Sequence, residues 1–491
     1  MSLRLQAFSG VRWTTLATVV TTTTQLLQLV VLARLLAPEA FGLMAMVMVM
    51  IGFAQSYADA GISSAIVHRQ DITSKQLSSL YWLNIMVGVV IFVILWILTP
   101  FIARLFNESQ LIALLHAVII IFLIVPLGKQ YEVLLQKNLN FNLLARQEII
   151  AAIISTSLAI SCAFVGMGVW SLVIGQISLV LTRTLMLLWV GMQIHRPSIH
   201  FCWQDLQGYW QFGLYQVGER NINFLAQRID QLLIGGILGA QALGYYSFAF
   251  NLVSLPQNRI NPIVTKVAFP TFAKIQDDIP RLQRGYLSVL KMLTLINAPL
   301  LIGMIVLAPM FVPLIFGEQW LPSMVLVQLA AIVSLMRGIG NPVGSLLLAR
   351  GRADLGFKWN LGLFLFSAPF IYVSALWGDV VTVAATWVLL QVILKLPAYL
   401  WLIRPLIGPC GKAYIGATAV PIGLASIMGV IVWLGLSLSS ISWLSMLSLI
   451  ALGGSVYVVI LWIAERKMLV DLGDLVLGSR NPLNHKKVSF T

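Results

Sequence analysis

Charge is scarce in this chain. Of its 491 residues only 10% are Asp, Glu, Lys or Arg, with 17 acidic residues against 31 basic. With 59% hydrophobic residues and a mean hydropathy of +0.91, the composition is too apolar for soluble domains of ordinary kind. Cysteine is nearly missing as well. Cys162, Cys202 and Cys410 lie in or beside apolar segments at wide spacing, which excludes a disulfide framework or thiolate metal site and leaves packing as their role. His195 and His200 lack metal-ligand spacing and company, and Asp277-Asp278 is a lone acidic pair of the kind that is solvated surface. There is no P-loop, no GxSxG and no zinc signature. No covalent chemistry, no cofactor, no metal and no ATP-driven step on this chain are therefore expected.

What the chain has in abundance is long apolar runs. About 20 residues of helix cross a hydrocarbon layer of about 30 Å, and such runs recur near 12–33, 41–66, 79–100, 111–131, 147–167, 169–191, 211–238, 242–265, 288–309, 320–349, 356–377, 379–402, 412–437 and 441–464. An all-α integral membrane protein of about fourteen transmembrane helices is expected. Arg4 and Arg12 precede the first run as in a signal peptide, but no small-residue cleavage site stands out, so it reads as a retained span. Threading the spans from a cytoplasmic start puts Arg69, Lys75, Lys129 to Arg146, Arg196, Arg284, Arg350, Lys358, Arg404, Lys412 and the Arg466–Lys487 tail inside. Only Arg34 and Arg104 remain outside, where they read as snorkelling anchors. Both termini are then cytoplasmic. The net charge of +14 is explained by topology, with no nucleic-acid partner implied. Tyr81-Trp82 and Trp96 bracket the third span as an aromatic belt.

The chain also repeats itself. LARLLAPEAFGLMAM from Leu32 aligns without a gap on IGGILGAQALGYYSF from Ile234, pairing Leu36 with Leu238, Ala40 with Ala242 and Gly42 with Gly244. FNESQL from Phe106 matches FGEQWL from Phe316, and QDITSKQ from Gln70 faces DDIPRLQ from Asp277. Six spans per copy is an even number, so the copies share one orientation, related by an axis along the membrane normal. The expected domains are a six-helix lobe over 1–198, an interfacial linker helix over 199–210, a second six-helix lobe over 211–405, two additional spans over 406–464 and a cytoplasmic tail over 465–491.

Candidate functional residues come from polar groups within spans. On the seventh, Gln216, Glu219, Arg220, Asn223, Gln227, Asp230 and Gln231 fall on one arc, with Arg228 on its flank. An ionisable group at the bilayer centre costs roughly 2.5–3.5 kcal/mol even on the lenient scale, so this arc should face water or partner groups. On the first span Thr14, Thr18, Thr21, Gln25 and Gln28 form a stripe that coincides, through the repeat, with Gln216, Arg220, Asn223, Gln227 and Asp230. Two matched stripes are expected to face each other across a central passage. The register continues with Gln55 on Gln257 and Asp59 on Asn261, with Arg259 beside them. Arg337 sits inside the tenth span among Gly338, Gly340 and Pro342, residues that loosen a helix along a cavity. For each charge the competing reading is a neutralising pair that only holds helices together.

VLARLLAPEAFGLMAM, YADAGISSAIVHRQDIT, NRINPIVTKVAFPTFAKIQDD, PLIFGEQW and GNPVGSLLLARGR resemble the Wzx-type polysaccharide flippases of the multidrug/oligosaccharidyl-lipid/polysaccharide exporter superfamily, with the colanic acid exporters as the nearest subgroup. The resemblance covers essentially the whole chain. It implies two six-helix lobes around a central cavity, alternating access, and translocation of undecaprenyl-diphosphate-linked oligosaccharide across a bacterial inner membrane. It further implies cationic cavity residues, for which Arg220, Arg228, Arg259 and Arg337 are the candidates. Asn223, Gln227, Thr18, Thr21 and Gln25 are the candidate sugar partners, and Glu219, Asp230 and Asp59 the candidates for coupling H+ or Na+. The implied partners are the lipid-linked oligosaccharide, membrane lipids, H+ or Na+, and a periplasmic polymerase or export machinery. A drug or lipid II exporter of the same superfamily remains the alternative. A membrane-embedded glycosyltransferase or polymerase is disfavoured by the shortness of the expected outer loops.

Overall fold

The computed structural model of the chain describes residues 3–58, 72–203, 221 and 224–465. They are helical apart from short connections and the irregular stretch 195–202, with no strand among the described residues. The first lobe holds α1 (Leu3–Leu35), α2 (Pro38–Ala58), α3 (Ser74–Leu105), α4 (Gln110–Val118), α5 (Ile121–Lys137), α6 (Phe141–Phe164) and α7 (Trp170–Ile194). Here α4 and α5 together form the fourth crossing, broken about a third of the way along at Ile119-Ile120. The second lobe holds α8 (224–233), a π turn Ile234–Leu238, α9 (Gly239–Lys274), α10 (Ile279–Phe311), α11 (Ser323–Ala349), α12 (Ala353–Trp377) and α13 (Val380–Ile393). The last of these continues through Lys395–Ala398, a second π turn and Arg404–Ile407. Two further helices, α14 (Gly411–Ser437) and α15 (Trp443–Ala464), complete the chain as described.

Thirteen helical stretches among the described residues are long and apolar enough to cross a membrane. One of them, Phe224–Lys274, runs for 51 residues, or about 75 Å at 1.5 Å per residue, far more than one crossing needs. It is divided at Gly239, where φ is +85°, a conformation that a side chain would oppose. Counted as two crossings, it restores the fourteen. The exposed residues of the helices are Val, Ile, Leu, Phe and Trp, as along Val89, Val93 and Ile97 of α3 or Trp433 of α14. Apolar faces of that extent suit lipid and not water. The protein is a multi-pass membrane protein.

The connections differ from expectation. The segment between the expected spans 242–265 and 288–309 is helix on both sides of a turn at Ile275–Asp278, because α9 continues through Pro256, Pro262 and Pro270. Each proline removes one N–H donor, and their separation leaves the ladder intact between them. At the other side of the turn Asp278 accepts from Arg281 N and Pro280 enters in the first turn, a strong helix start. Likewise α3 begins at Ser74, five residues before the expected span, because Thr73 and Gln76 form a capping box. Asp379 starts α13 in the same way, and hydrogen bonds from the Thr382 backbone and hydroxyl hold its carboxyl below the usual range. Most of the expected linker helix 199–210 lies outside the described residues.

The lobes meet along α2 and the α8–α9 pair. Gly42 and Gly244 sit backbone to backbone there: a Cβ on Gly42 would lie 1.7 Å from the Ala240 carbonyl oxygen, and one on Gly244 would lie 1.9 Å from that of Pro38. Further along the seam the Phe224 ring fills the space over Gly52, and the Ser56 hydroxyl donates to Asn221 Oδ1 at 2.5 Å. Around the glycine contact each lobe caps the other's helix ends. Arg34, expected to snorkel, instead crosses the seam and donates to the carbonyls of Ile315 (2.7 Å) and Leu314 (2.5 Å). In return the Trp320 indole donates to Ala33 O at 2.8 Å, and Gln319 donates to the same carbonyl and to Leu36 O. Carbonyls at a helix end have no intrahelical partner, so these donors meet a standing need.

The added helices dock on α10, where the Tyr457 hydroxyl donates to Leu295 O at 2.7 Å and Lys291 pairs with Glu465 at 2.5 Å.

Gly42→Val and Gly244→Val are expected to destabilise the protein by about 3 kcal/mol or more, the upper range for overpacking. Gly454→Val, at a helix position with open space beside it, should cost far less. Thermal unfolding in one detergent compares the three.

Candidate functional site: a cationic cavity in the second lobe

A cavity of about 760 Å³ opens among α8, α9, α11, α12 and the α13 crossing. Its deepest wall is α11. Arg337, Gly340, Asn341, Gly344 and Leu348 recur at helical spacing and are the exposed residues of an otherwise buried stretch. Gly340 and Gly344 have open space where a side chain would stand, so the void reaches the backbone. Pro342 lies on the packed side of the same helix.

Among the described residues, four ionisable side chains line the cavity: Arg228, Asp230, Arg337 and Lys395. Asp230 is 3% exposed. One of its oxygens accepts from Gln231 N at 2.8 Å and the other from the Tyr246 hydroxyl at 2.6 Å, while Tyr246 stacks on Phe250 with ring centroids 4.2 Å apart. The Arg337 guanidinium lies 5.0 Å from the centroid of Trp387, a cation–π arrangement that holds the charge without neutralising it. Lys395 donates to the carbonyl of Met336, next to Arg337 in sequence. Among the described residues three cations therefore share the cavity with one carboxylate, whose oxygens already have donors. A structural ion pair would need one cation.

The uncharged lining is rich in amides. Asn251 and Asn258 on α9, Asn341 on α11, Asn360 on α12 and Gln391 on α13 face the void, with Trp359 beside them. Gln257 is fixed by donating to Ser334 O at 3.0 Å, and Asn261 Oδ1 accepts from Asn297 at 3.0 Å.

Of the residues singled out from sequence, the structure brings Gln227, Arg228, Asp230 and Arg337 to this one cavity. Arg259 turns across the seam, its Nη2 donating to Gln25 Oε1 at 3.0 Å. Arg259 stands on α9, outside both matched stripes, so this bond joins the stripe of α1 to the eighth span and not to its counterpart on the seventh. None of the described residues of α1 lines the cavity. The Thr18 and Thr21 hydroxyls donate to Thr14 O (2.8 Å) and Ala17 O (2.7 Å) of their own helix, a local bond that satisfies a hydroxyl in apolar surroundings. Gln28 accepts from Thr156 within the first lobe. Glu219, Arg220, Asn223 and Asp59 lie outside the described residues. Sequence reasoning missed Lys395. The signal for it is a lysine inside the apolar run 380–407, the same signal that marks Arg337.

A second, apolar groove of about 970 Å³ runs between α1, α10, α14 and α15. Leu26, Val30, Leu252, Gly303 and Gly453 line it, with Glu465 at one end. On α9, Leu252 faces this groove while Asn251 and Ser254 face the cavity, so one helix separates a polar site from an apolar one.

Gly344→Leu should fill the cavity without touching any residue that holds the fold. Unchanged or raised thermal stability with loss of ligand binding is the expected outcome, read from unfolding and titration in parallel.

The family described as "Polysaccharide biosynthesis protein" matches residues 31–325. The Teichuronic acid biosynthesis protein TuaB of Bacillus subtilis (strain 168) is 35% identical over 439 residues, covering 89% of this chain and 90% of that protein. The Lipopolysaccharide biosynthesis protein WzxC of Escherichia coli (strain K12) is 34% identical over 429 residues, covering 87% and 86%. Among solved structures, the Lipid II flippase MurJ in an inward closed conformation superposes with a TM-score of 0.75 at 14% identity, covering 94% of this chain and all of that one. At that identity the likeness is one of fold.

Proposed function

The chain belongs to this family of polysaccharide biosynthesis proteins, and from that membership and the cationic cavity we propose that it is a flippase carrying a polyprenyl-diphosphate-linked oligosaccharide across the bacterial inner membrane, with both termini cytoplasmic. It acts as a transporter and not as an enzyme. The observation that carries the reading is the excess of cations at the cavity. A diphosphate moved through low-dielectric surroundings needs fixed positive charge, and guanidinium groups supply it with permanently ionised, planar donors. Arg228, Arg337 and Lys395 hold the diphosphate. The asparagines around Trp359 offer sugars the paired donors and acceptors that hydroxyl groups require, and the indole faces offer apolar contact. The apolar groove on the far side of α9 takes the polyprenyl chain, so head and tail lie back to back across one helix. Asp230, with its carboxylate at the cavity wall, couples H+ or Na+ to the passage. Glu219 and Asp59 are further coupling candidates, Arg220 a further cation, and Asn223, Thr18, Thr21, Gln25 and Arg259 further headgroup contacts along the path between the lobes.

The test is complementation of a strain lacking the gene, with the accumulated lipid-linked intermediate quantified. Arg337→Gln and Lys395→Gln are each expected to reduce export by roughly ten- to a hundredfold, the weight of a lost charge-assisted hydrogen bond, at unchanged protein level in the membrane. Wild-type export by both variants would remove the diphosphate role from this cavity.

A further inference from the structure

The cavity leaves one charged cluster of the first lobe unused. Glu132 of α5 has both carboxylate oxygens engaged by cations. Lys129 Nζ lies 3.3 Å from Oε2, and Arg183 Nη2 of α7 lies 2.8 Å from Oε1. Arg183 stands midway along the apolar helix Trp170–Ile194, a depth at which an ionisable residue is rare and marks a pathway or a partner. The exposed residues Leu181, Leu185, Trp189 and Met192 mark the lipid-facing side of α7. At about 100° per residue Arg183 falls on the opposite side, toward the lobe interior.

A structural pair would again need one cation for one carboxylate, and here there are two. A guanidinium carries five N–H donors and an ammonium three, more than Glu132 can use. Arg183 Nε is buried without a partner.

The internal repeat supplies a second, independent argument. Lys129 is on the fourth crossing of the first lobe and Arg183 on the sixth. In the second lobe the fourth crossing carries Arg337 and the sixth carries Lys395, the latter again midway along its crossing, Val380–Ile407. Those two line the cavity. The same two crossings thus bring inward-facing cations together in both lobes. In the second lobe the only lining carboxylate among the described residues is taken up by Tyr246 and a backbone amide, whereas in the first lobe the carboxylate occupies the cations.

We infer that Lys129 and Arg183 form an oxyanion-binding site in the first lobe, filled here by the protein's own Glu132 carboxylate, which an oxyanion of the transported headgroup displaces. The inference rests on the reading of the second-lobe cavity as the diphosphate site. The oxyanion is either a sugar carboxylate or a phosphoryl group, and both present the same paired oxygens to a guanidinium.

The experiment uses the full-length protein in nanodiscs. Isothermal titration compares a glucuronate-containing disaccharide, its neutral methyl ester and inorganic diphosphate. Glu132→Gln removes the competing carboxylate and is expected to raise the affinity for an oxyanion probe about tenfold, while Arg183→Gln lowers it by about the same factor, the weight of one charge-assisted hydrogen bond. A response of the glucuronate probe identifies a sugar carboxylate, and a response of diphosphate identifies a phosphoryl group. Lys129→Gln, which keeps the Glu132–Arg183 pair, provides a second loss-of-affinity variant should Arg183→Gln unfold. Unchanged affinities for both oxyanions in well-folded Glu132→Gln and Lys129→Gln, an equal response of the methyl ester, or weaker binding in Glu132→Gln would overturn the inference. Arg337→Gln is titrated with diphosphate alongside. Unaltered diphosphate binding there counts against the second-lobe cavity, so the two failures are separable.

Discussion

The arrangement of the lobes depends on two residues without side chains. Gly42 and Gly244 let α2 and α9 touch along their backbones, closer than any Cβ would permit. In a medium where apolar burial gives no net drive between helices, such small-residue contacts are a principal source of association. These two glycines are also partners in the internal repeat. A residue can touch its own counterpart in a parallel repeat only at the axis relating the copies, so the axis passes between them. The surrounding contacts follow from that closeness: Phe41 sets its edge against both Phe248 and Trp320, Phe106 covers Gly235, and Arg34 and Trp320 each reach carbonyls in the other lobe.

The fold class, the repeat and the number of crossings were legible in the sequence because each rests on a property summed over twenty or more residues. Boundaries were not. The eighth span was expected to end near 265, yet the helix runs on to Lys274 through Pro270, because a proline costs one backbone bond and a helix of 36 residues has enough others to continue. The charges of the candidate site were legible as exceptions in apolar runs, which is how Arg228, Asp230 and Arg337 stand out. The threonines were ambiguous for a physical reason. A hydroxyl on a helix can serve its own backbone or a ligand equally well, and Thr18 and Thr21 serve the backbone. Gln25 has the opposite character, since its partner Arg259 is distant in sequence and only the approach of the lobes supplies it.

The cavity and the groove show how one helix can serve two solvents. Asn251 and Leu252 of α9 are neighbours in sequence and face different voids, because successive residues on a helix point about 100° apart. A lipid-linked oligosaccharide presents the same division, polar at one end and apolar at the other. Placing the two voids on either side of α9 means that any tilt of this helix alters both, and α9 also carries Gly244 at the axis and Arg259 at the contact with Gln25. The helix that separates the sites is thereby also the one that carries the contacts between the lobes.

The twofold relation is broken at one place that matters for how the lobes part. The gap-free alignment pairs Arg34 with Gly236, and the FNESQL–FGEQWL match pairs Leu105 with Ile315. On one side of the axis Arg34 donates to the Ile315 and Leu314 carbonyls. On the other, the Leu105 carbonyl faces the bare Cα of Gly236, where a Cβ would stand 3.4 Å away. Separation at the first side leaves a guanidinium and helix-end carbonyls seeking new partners, and each net hydrogen bond to a charged group is worth about 1.5–3 kcal/mol. Separation at the second gives up only packing. The two sides of the axis are thus held unequally, since the side of Arg34 also carries the Gln319 and Trp320 bonds to Ala33 O and Leu36 O.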